Sequence, residues 1–230
     1  MDIYFQKEYG IVNELIEDGK AVCREIRTDY GTVSDLFIVR AIPTKIDGEQ
    51  YYDIVSPYGY GGPVITECEP GKKDALLDAY EREFAGYCRD HRIVSEFIRF
   101  HPLVGNGVDF QKMYDVRLDR KTVGTRLDIY ENPVLEEFSK SCRKRIRRAI
   151  RDGITYRVTE RPDDLSSFRA VYDSTMKRNG AGEYYYFSDD YFKQCLKYFG
   201  KNLILVEALY EGNVIAAGFY FIWEKVIHIK

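Results

Sequence analysis

Between Lys140 and Arg151 stand seven cations and no acid: Lys140, Arg143, Lys144, Arg145, Arg147, Arg148 and Arg151. On a helix, Arg143, Arg147 and Arg151 share one face at i, i+4 and i+8, and Lys140, Lys144 and Arg148 share its neighbour. Like charges at that spacing repel. An anion would offset the repulsion, whether a diphosphate, RNA phosphates or carboxylates of the fold, and a solvated face paired with local acids fits as well. A second feature is Ser56–Pro63 (SPYGYGGP), a loop dense in Gly and Tyr after a strand. Its glycines permit close backbone approach to a ligand, and Tyr58 and Tyr60 offer ring faces and hydroxyls; a tight turn with both rings on the core is the simpler reading. Arg99 and His101 follow at the end of another strand. The His could act as a base near neutral pH, although a lone His is more often structural. A fourth feature, Thr175–Phe187 (TMKRNGAGEYYYF), combines Arg178, a flexible Gly-Ala-Gly and four consecutive aromatics including Tyr185. It suits a cleft rim that grips a polar ligand, or aromatic packing between helices.

Other chemistries are absent from the sequence. It has no Ser/His/Asp set, no paired-carboxylate spacing, no HExxH and no P-loop. The three His, at 91, 101 and 228, make no metal-ligand pattern. Five Cys at 23, 68, 88, 142 and 195 are odd in number and widely spaced, as free thiols in a reducing compartment would be. The 230 residues include 34 Lys and Arg against 37 Asp and Glu, a net charge of −3, so the whole molecule is no basic nucleic-acid binder and DNA is not an expected partner. Hydrophobic residues at 45% describe a globular chain. No signal peptide or membrane-length apolar run is visible, which points to the cytoplasm.

The elements that must hold these features read as α/β, in an α+β layout. Strands are expected at 33–42, 51–55, 92–100, 113–118 and 124–130, with a helix over 73–90 on the spacing of Leu76, Leu77, Tyr80, Phe84 and Tyr87. A helix over 133–151 starts at Pro133 and stops at Gly153. A strand at 154–158, helices at 162–178 and 189–199, and strands at 203–209, 214–223 and 226–229 complete the second half. A sheet edge left open at the end suggests an incomplete second domain or a partner chain, such as a second copy in a homodimer.

Four segments in this order resemble one family. They are Tyr51–Pro63 (YYDIVSPYGYGGP), Phe97–Leu103 (FIRFHPL), Ser141–Ile154 (SCRKRIRRAIRDGI), and Tyr172–Asn179 (YDSTMKRN) followed by Tyr184–Phe187 (YYYF). The chain is similar to the FemAB-like peptidyltransferases, the peptidoglycan-bridge aminoacyltransferases of the GNAT acyltransferase superfamily. The resemblance implies tandem GNAT-like domains at 1–131 and 132–230. Each would hold a mixed, mostly antiparallel sheet with helices on both faces, the second being truncated, since members usually run on past this point. It implies transfer of an aminoacyl group from aminoacyl-tRNA, as co-substrate, to an amine of a UDP- or lipid-linked muropeptide, with no resident cofactor. Such chemistry asks mainly for positioning and for stabilisation of an oxyanion.

On this reading Tyr58, Tyr60, Arg99, Arg178 and Tyr185 contact substrate, Arg143, Arg147 and Arg151 meet phosphate or RNA, and no residue is assigned as catalytic. Two alternatives stand beside it. One is an acyl-CoA-dependent N-acyltransferase acting on an amino sugar of a surface glycan, with acetyl-CoA as co-substrate. The other is a non-catalytic module that binds a nucleotide-sugar.

Overall fold

A computed structural model describes residues 1–229. The chain divides into two compact units, Met1–Leu118 with Phe187–Cys195, and Asp119–Tyr186 with the residues from Leu196 on.

In the first unit a short 3-10 turn, Ile3–Phe5, precedes α1 (Lys7–Glu17). Then come β1 (Lys20–Thr28), β2 (Gly31–Ala41), β3 (Tyr52–Val55), β4 (Val64–Cys68), α2 (Lys73–Asp90), β5 (Ile93–Phe97) and the single turn α3 (Asn106–Asp109). β2 pairs antiparallel with β1, β3 and β4, and β3 pairs with β5 in parallel. Thr32 through Ile38 are all buried because both faces of β2 are covered. Val33 and Phe37 pack with Leu76, Leu77, Tyr80 and Phe84 of α2. Leu36 and Ile38 point the other way, where Leu36 Cδ1 closes on Gly10 of α1. A strand covered on both faces reads as a continuous apolar run, which is why VSDLFIVRAI stands out in the sequence.

A charged residue of β2 interrupts that core. Asp35 is 2% exposed, lies opposite Arg24 on β1, and accepts the Tyr80 hydroxyl at 2.8 Å. Burial pushes its carboxyl up to about 6, against the opposing pull of Tyr80 and Arg24. Burial, and then the charge of Asp35, push the half-buried Glu96 of β5 up to about 8.

The second unit contains α4 (Pro133–Glu136), α5 (Lys140–Arg151), β6 (Thr155–Glu160), α6 (Ser166–Arg178), the end of α7 (Asp189–Phe199), β7 (Leu203–Tyr210), β8 (Asn213–Trp223) and β9 (Val226–Ile229). Its sheet runs β6-β7-β8-β9 and is antiparallel throughout. Glu211 and Gly212, both at positive φ (48° and 79°), turn the β7–β8 hairpin. Leu203, Leu205, Phe219 and Phe221 are buried on one face, with Phe168 of α6 4.9 Å from Phe219 and Phe199 5.3 Å from Phe221. Tyr156, Val158, Ile227 and Ile229 are exposed. The molecule is therefore an α+β protein with mostly antiparallel strands.

Two expectations change. The stretches 113–118 and 124–130 are irregular, with no ladder partner among the described residues. Leu118, Leu127 and Ile129 are exposed, and the charges pair locally, Arg117 with Asp115 and Arg126 with Asp128. Alternation marks a chain able to be a strand; only a neighbour's N–H and C=O groups make it one. The helix expected over 133–151 is two helices. Ser139 divides them, its Oγ accepting the Cys142 N–H at 3.3 Å as the cap of α5.

Raised carboxyl pKa values mean that the folded state resists ionisation. The stabilising protonated forms are complete below the ordinary carboxylate range and are lost as pH climbs through about 6 for Asp35 and about 8 for Glu96. In Asp35→Asn the first of these losses disappears. Thermal unfolding followed by circular dichroism should show the variant gaining on the parent between pH 4 and pH 7. A difference constant across that range would refute the assignment.

Candidate functional site

The parallel β3–β5 seam continues past both strands into the Gly/Tyr loop. Ser56 N–H donates to the Phe97 carbonyl (3.1 Å), Arg99 N–H to Ser56 Oγ (3.2 Å), and Gly61 N–H to the Arg99 carbonyl (2.9 Å). Arg99 thus sits beside the loop by backbone pairing. Its side chain is exposed, with the guanidinium 5.1 Å from the centre of the Phe97 ring.

Asn106, fully buried, holds the loop from below. Its amide donates to the Gly61 and Pro63 carbonyls, both at 3.0 Å, while its Oδ1 accepts the His101 N–H at 2.9 Å. His101 Nδ1 accepts the N–H groups of Leu103 and Val104, both at 3.2 Å. That assigns the ring proton to Nε2, which faces the Asp2 carboxylate at 3.6 Å. The ring is 2% exposed between Tyr4, Phe5 and Tyr60. His101 is therefore a structural residue that shapes the loop, and not a base open to substrate.

Gly59 and Gly62 supply what the loop needs from glycine. Both have positive φ (107° and 86°), and a Cβ would come within 2.5 Å of Tyr4 Cε1 at Gly59 and 2.6 Å of Ile98 Cγ2 at Gly62. The Tyr60 ring packs on Tyr4 and His101, 5.4 Å from each. The Tyr58 carbonyl accepts the buried Tyr9 hydroxyl at 2.6 Å, and the Tyr58 ring meets Phe187 at 5.5 Å. Both tyrosines are half-buried, in a loop fixed by packing.

In the second unit Arg178 is exposed in the last turn of α6. Tyr184, Tyr185 and Tyr186 are each 42–45% exposed. The Tyr172 hydroxyl donates to the Tyr185 carbonyl at 2.7 Å, tying this aromatic run back to the same helix.

The basic helix α5 is short of acids. Asp152 takes Arg148 at 3.3 Å and Arg151 at 3.8 Å. Arg143 is half-buried and donates to the Leu135 carbonyl at 2.5 Å. Lys140, Lys144, Arg145 and Arg147 make no ion pair within 4.0 Å among the described residues. Lys140 also stands in the first turn, where the helix dipole disfavours a cation. The reading of a face neutralised by local acids is therefore satisfied only at its C-terminal end.

The model of the FemAB family matches residues 103–210, a stretch that carries α5, β6, α6, the aromatic run, α7 and β7. That segment is FemAB-like. Peptidoglycan-related aminoacyl transfer is the work associated with the FemAB family. Arg143, Arg147, Arg151, Arg178 and Tyr185 lie inside the FemAB-like segment; Tyr58, Tyr60 and Arg99 lie outside it. No curated protein matches the chain. Among the described residues no helix is long and apolar enough to cross a membrane. The molecule has clefts of about 430 Å³ in the second unit and about 360 Å³ in the first, and none of these eight residues lines either.

The clamp on the loop can be tested through stability. Asn106→Ala strands two buried carbonyls and one N–H, and a buried unpaired group costs ~1–3 kcal/mol. Urea denaturation should show a loss of at least ~2 kcal/mol. A loss within ~0.5 kcal/mol of the parent, the range of an ordinary surface change, would show that the loop holds its shape without Asn106.

Proposed function

We propose that this protein takes part in transferring an aminoacyl group from aminoacyl-tRNA to an amine of a UDP- or lipid-linked peptidoglycan precursor. The observation that carries the reading is the basic helix α5, under-supplied with acids, inside the FemAB-like segment. Both proposed substrates are rich in phosphate, and a helix whose cations far outnumber the acids beside them is the electrostatic footprint such ligands favour.

In the proposed reaction the acceptor amine attacks the carbonyl carbon of the aminoacyl ester. The C–N bond forms, the C–O bond to the tRNA ribose breaks, and the proton lost by the amine ends on the ribose hydroxyl. The ester is already activated, so the protein's task is to bring the two substrates together and to steady the developing oxyanion. Arg147 and Arg151 are proposed as phosphate contacts, with Arg143 holding α5 in place through Leu135 and completing the cationic face. Tyr58, Tyr60 and Arg99 are proposed as one substrate surface, and Arg178 with Tyr185 as another. The tandem GNAT-type arrangement, the cytoplasmic setting and the need for no resident cofactor belong to the same proposal.

A salt series tests it. Binding of a fluorescent aminoacyl-tRNA should weaken linearly in log Kd against log salt. In the double variant Arg147→Gln/Arg151→Gln the slope should fall by about one to two, as expected for one or two lost phosphate contacts. An unchanged slope removes α5 from the interface. Saturable binding of acetyl-CoA with no binding of aminoacyl-tRNA would replace the reading with the CoA-dependent one.

A further inference from the structure

The 360 Å³ cleft of the first unit lies between α2 and β1 and is lined by Arg24, Arg82, Glu83, Gly86, Tyr87, Asp90 and His91. Two guanidiniums and two carboxylates share it. Among the described residues none of the four makes an ion pair within 4.0 Å. Exposed pairs of this kind gain little, so the charges need not close on one another and stay open to a ligand.

Arg24 is held in position, and the buried Asp35 carboxylate across the ladder draws on its charge without forming an ion pair with it. Its guanidinium lies 4.2 Å from the centre of the Tyr87 ring, and that ring stacks on His91 at 4.0 Å. His91 is fixed in turn by Nδ1 against the Tyr87 carbonyl at 2.9 Å. Arg24 Nη1 is buried and makes no hydrogen bond among the described residues. Asp35, across the ladder from Arg24, spends its Oδ2 on Tyr80. Arg24 is therefore firmly mounted in the wall of the cleft, with Nη1 turned away from solvent. Glu83 and Asp90 stand about one helical turn to either side of Tyr87, roughly 5 Å along the axis.

Gly86 gives the second, independent indication. It lies inside the long helix α2, where glycine is the poorest residue after proline. Its φ is not in the left-handed region, and a Cβ would meet nothing closer than Arg89 Nη2 at 4.0 Å. Neither backbone nor packing asks for glycine there. The empty space it leaves belongs to the cleft.

We infer that this cleft binds a small zwitterion, a free α-amino acid. Its carboxylate is taken by Arg24 and Arg82. Its ammonium is taken by Glu83 or Asp90, the latter aided by the negative end of α2. Its side chain lies in the space over Gly86. The site is outside the FemAB-like segment, so it stands or falls independently of the proposed transfer reaction.

The test is a ¹H–¹⁵N NMR titration of the full chain with L-alanine, L-glutamine and L-phenylalanine in turn. At least one should shift the Gly86 amide saturably, with a millimolar dissociation constant. The matching N-acetyl amino acid and amino-acid amide, each lacking one charge, should bind at least tenfold more weakly. Arg82→Gln changes an exposed side chain and should weaken the amino acid about tenfold. Gly86→Leu fills the cleft with a good helix former and should abolish the shift while raising the unfolding temperature. The inference is overturned if none of the three amino acids saturates, if a blocked derivative binds as well as its parent, or if the Gly86→Leu protein, folded, still binds.

Discussion

The first unit depends on how a parallel strand pair is closed at its open end. β3 and β5 run side by side, and beyond Val55 and Phe97 their ladder would splay. Ser56 prevents this by replacing a backbone acceptor with its own Oγ, and Gly61 resumes the pairing one turn later. The geometry forces Gly59 and Gly62 into conformations that side chains avoid, and it needs an anchor below. Asn106 is that anchor, with its amide and carbonyl all committed to backbone groups of the loop and of His101. Tyr4, Tyr60 and His101 then fill the space between them. A rigid loop carrying half-buried tyrosines is the outcome, and rigidity is what a surface must have if it is to position a substrate.

The second unit solves a different problem. Its sheet is an antiparallel meander with one face buried under α6, so its strands alternate and its hairpin turn is plain in the sequence. The charge is concentrated elsewhere, on α5. Seven cations on three turns raise the free energy of the helix through mutual repulsion, and Asp152 relieves only the last two, Arg148 and Arg151. A bound polyanion would turn that cost into affinity, and the affinity would be strongly salt-dependent.

Legibility in the sequence follows burial. The helix over 73–90 is read correctly because Leu76, Leu77, Tyr80 and Phe84 keep an uninterrupted apolar spacing, and all four are buried. Residues 1–32 carry no such rhythm, although α1 and β1 lie there. On α1 the inward face holds Asn13 and Glu17, both buried, which breaks the apolar rhythm; Asn13 repays its burial by donating to the Tyr9 carbonyl at 2.7 Å. The stretches 113–118 and 124–130 err in the opposite direction, since their alternation is genuine and their partners are missing among the described residues. At the site, the glycines and tyrosines of 56–63 identify a constrained loop. The sequence does not reveal Asn106, because an ordinary asparagine 45 residues from Gly61 becomes a clamp only after folding. The sequence allows Tyr60 either ligand contact or core packing, and its ring lies against Tyr4 and His101 while part of the residue stays accessible. His101 resolves toward structure by the two N–H groups that point at its Nδ1.

The measurement that bears most directly on the functional account is calorimetric titration of the chain with UDP-N-acetylmuramyl pentapeptide, with acetyl-CoA titrated in parallel. Saturable binding of the muropeptide, with none of acetyl-CoA, is the expected result. Binding of acetyl-CoA alone, with no heat from the muropeptide, would contradict it.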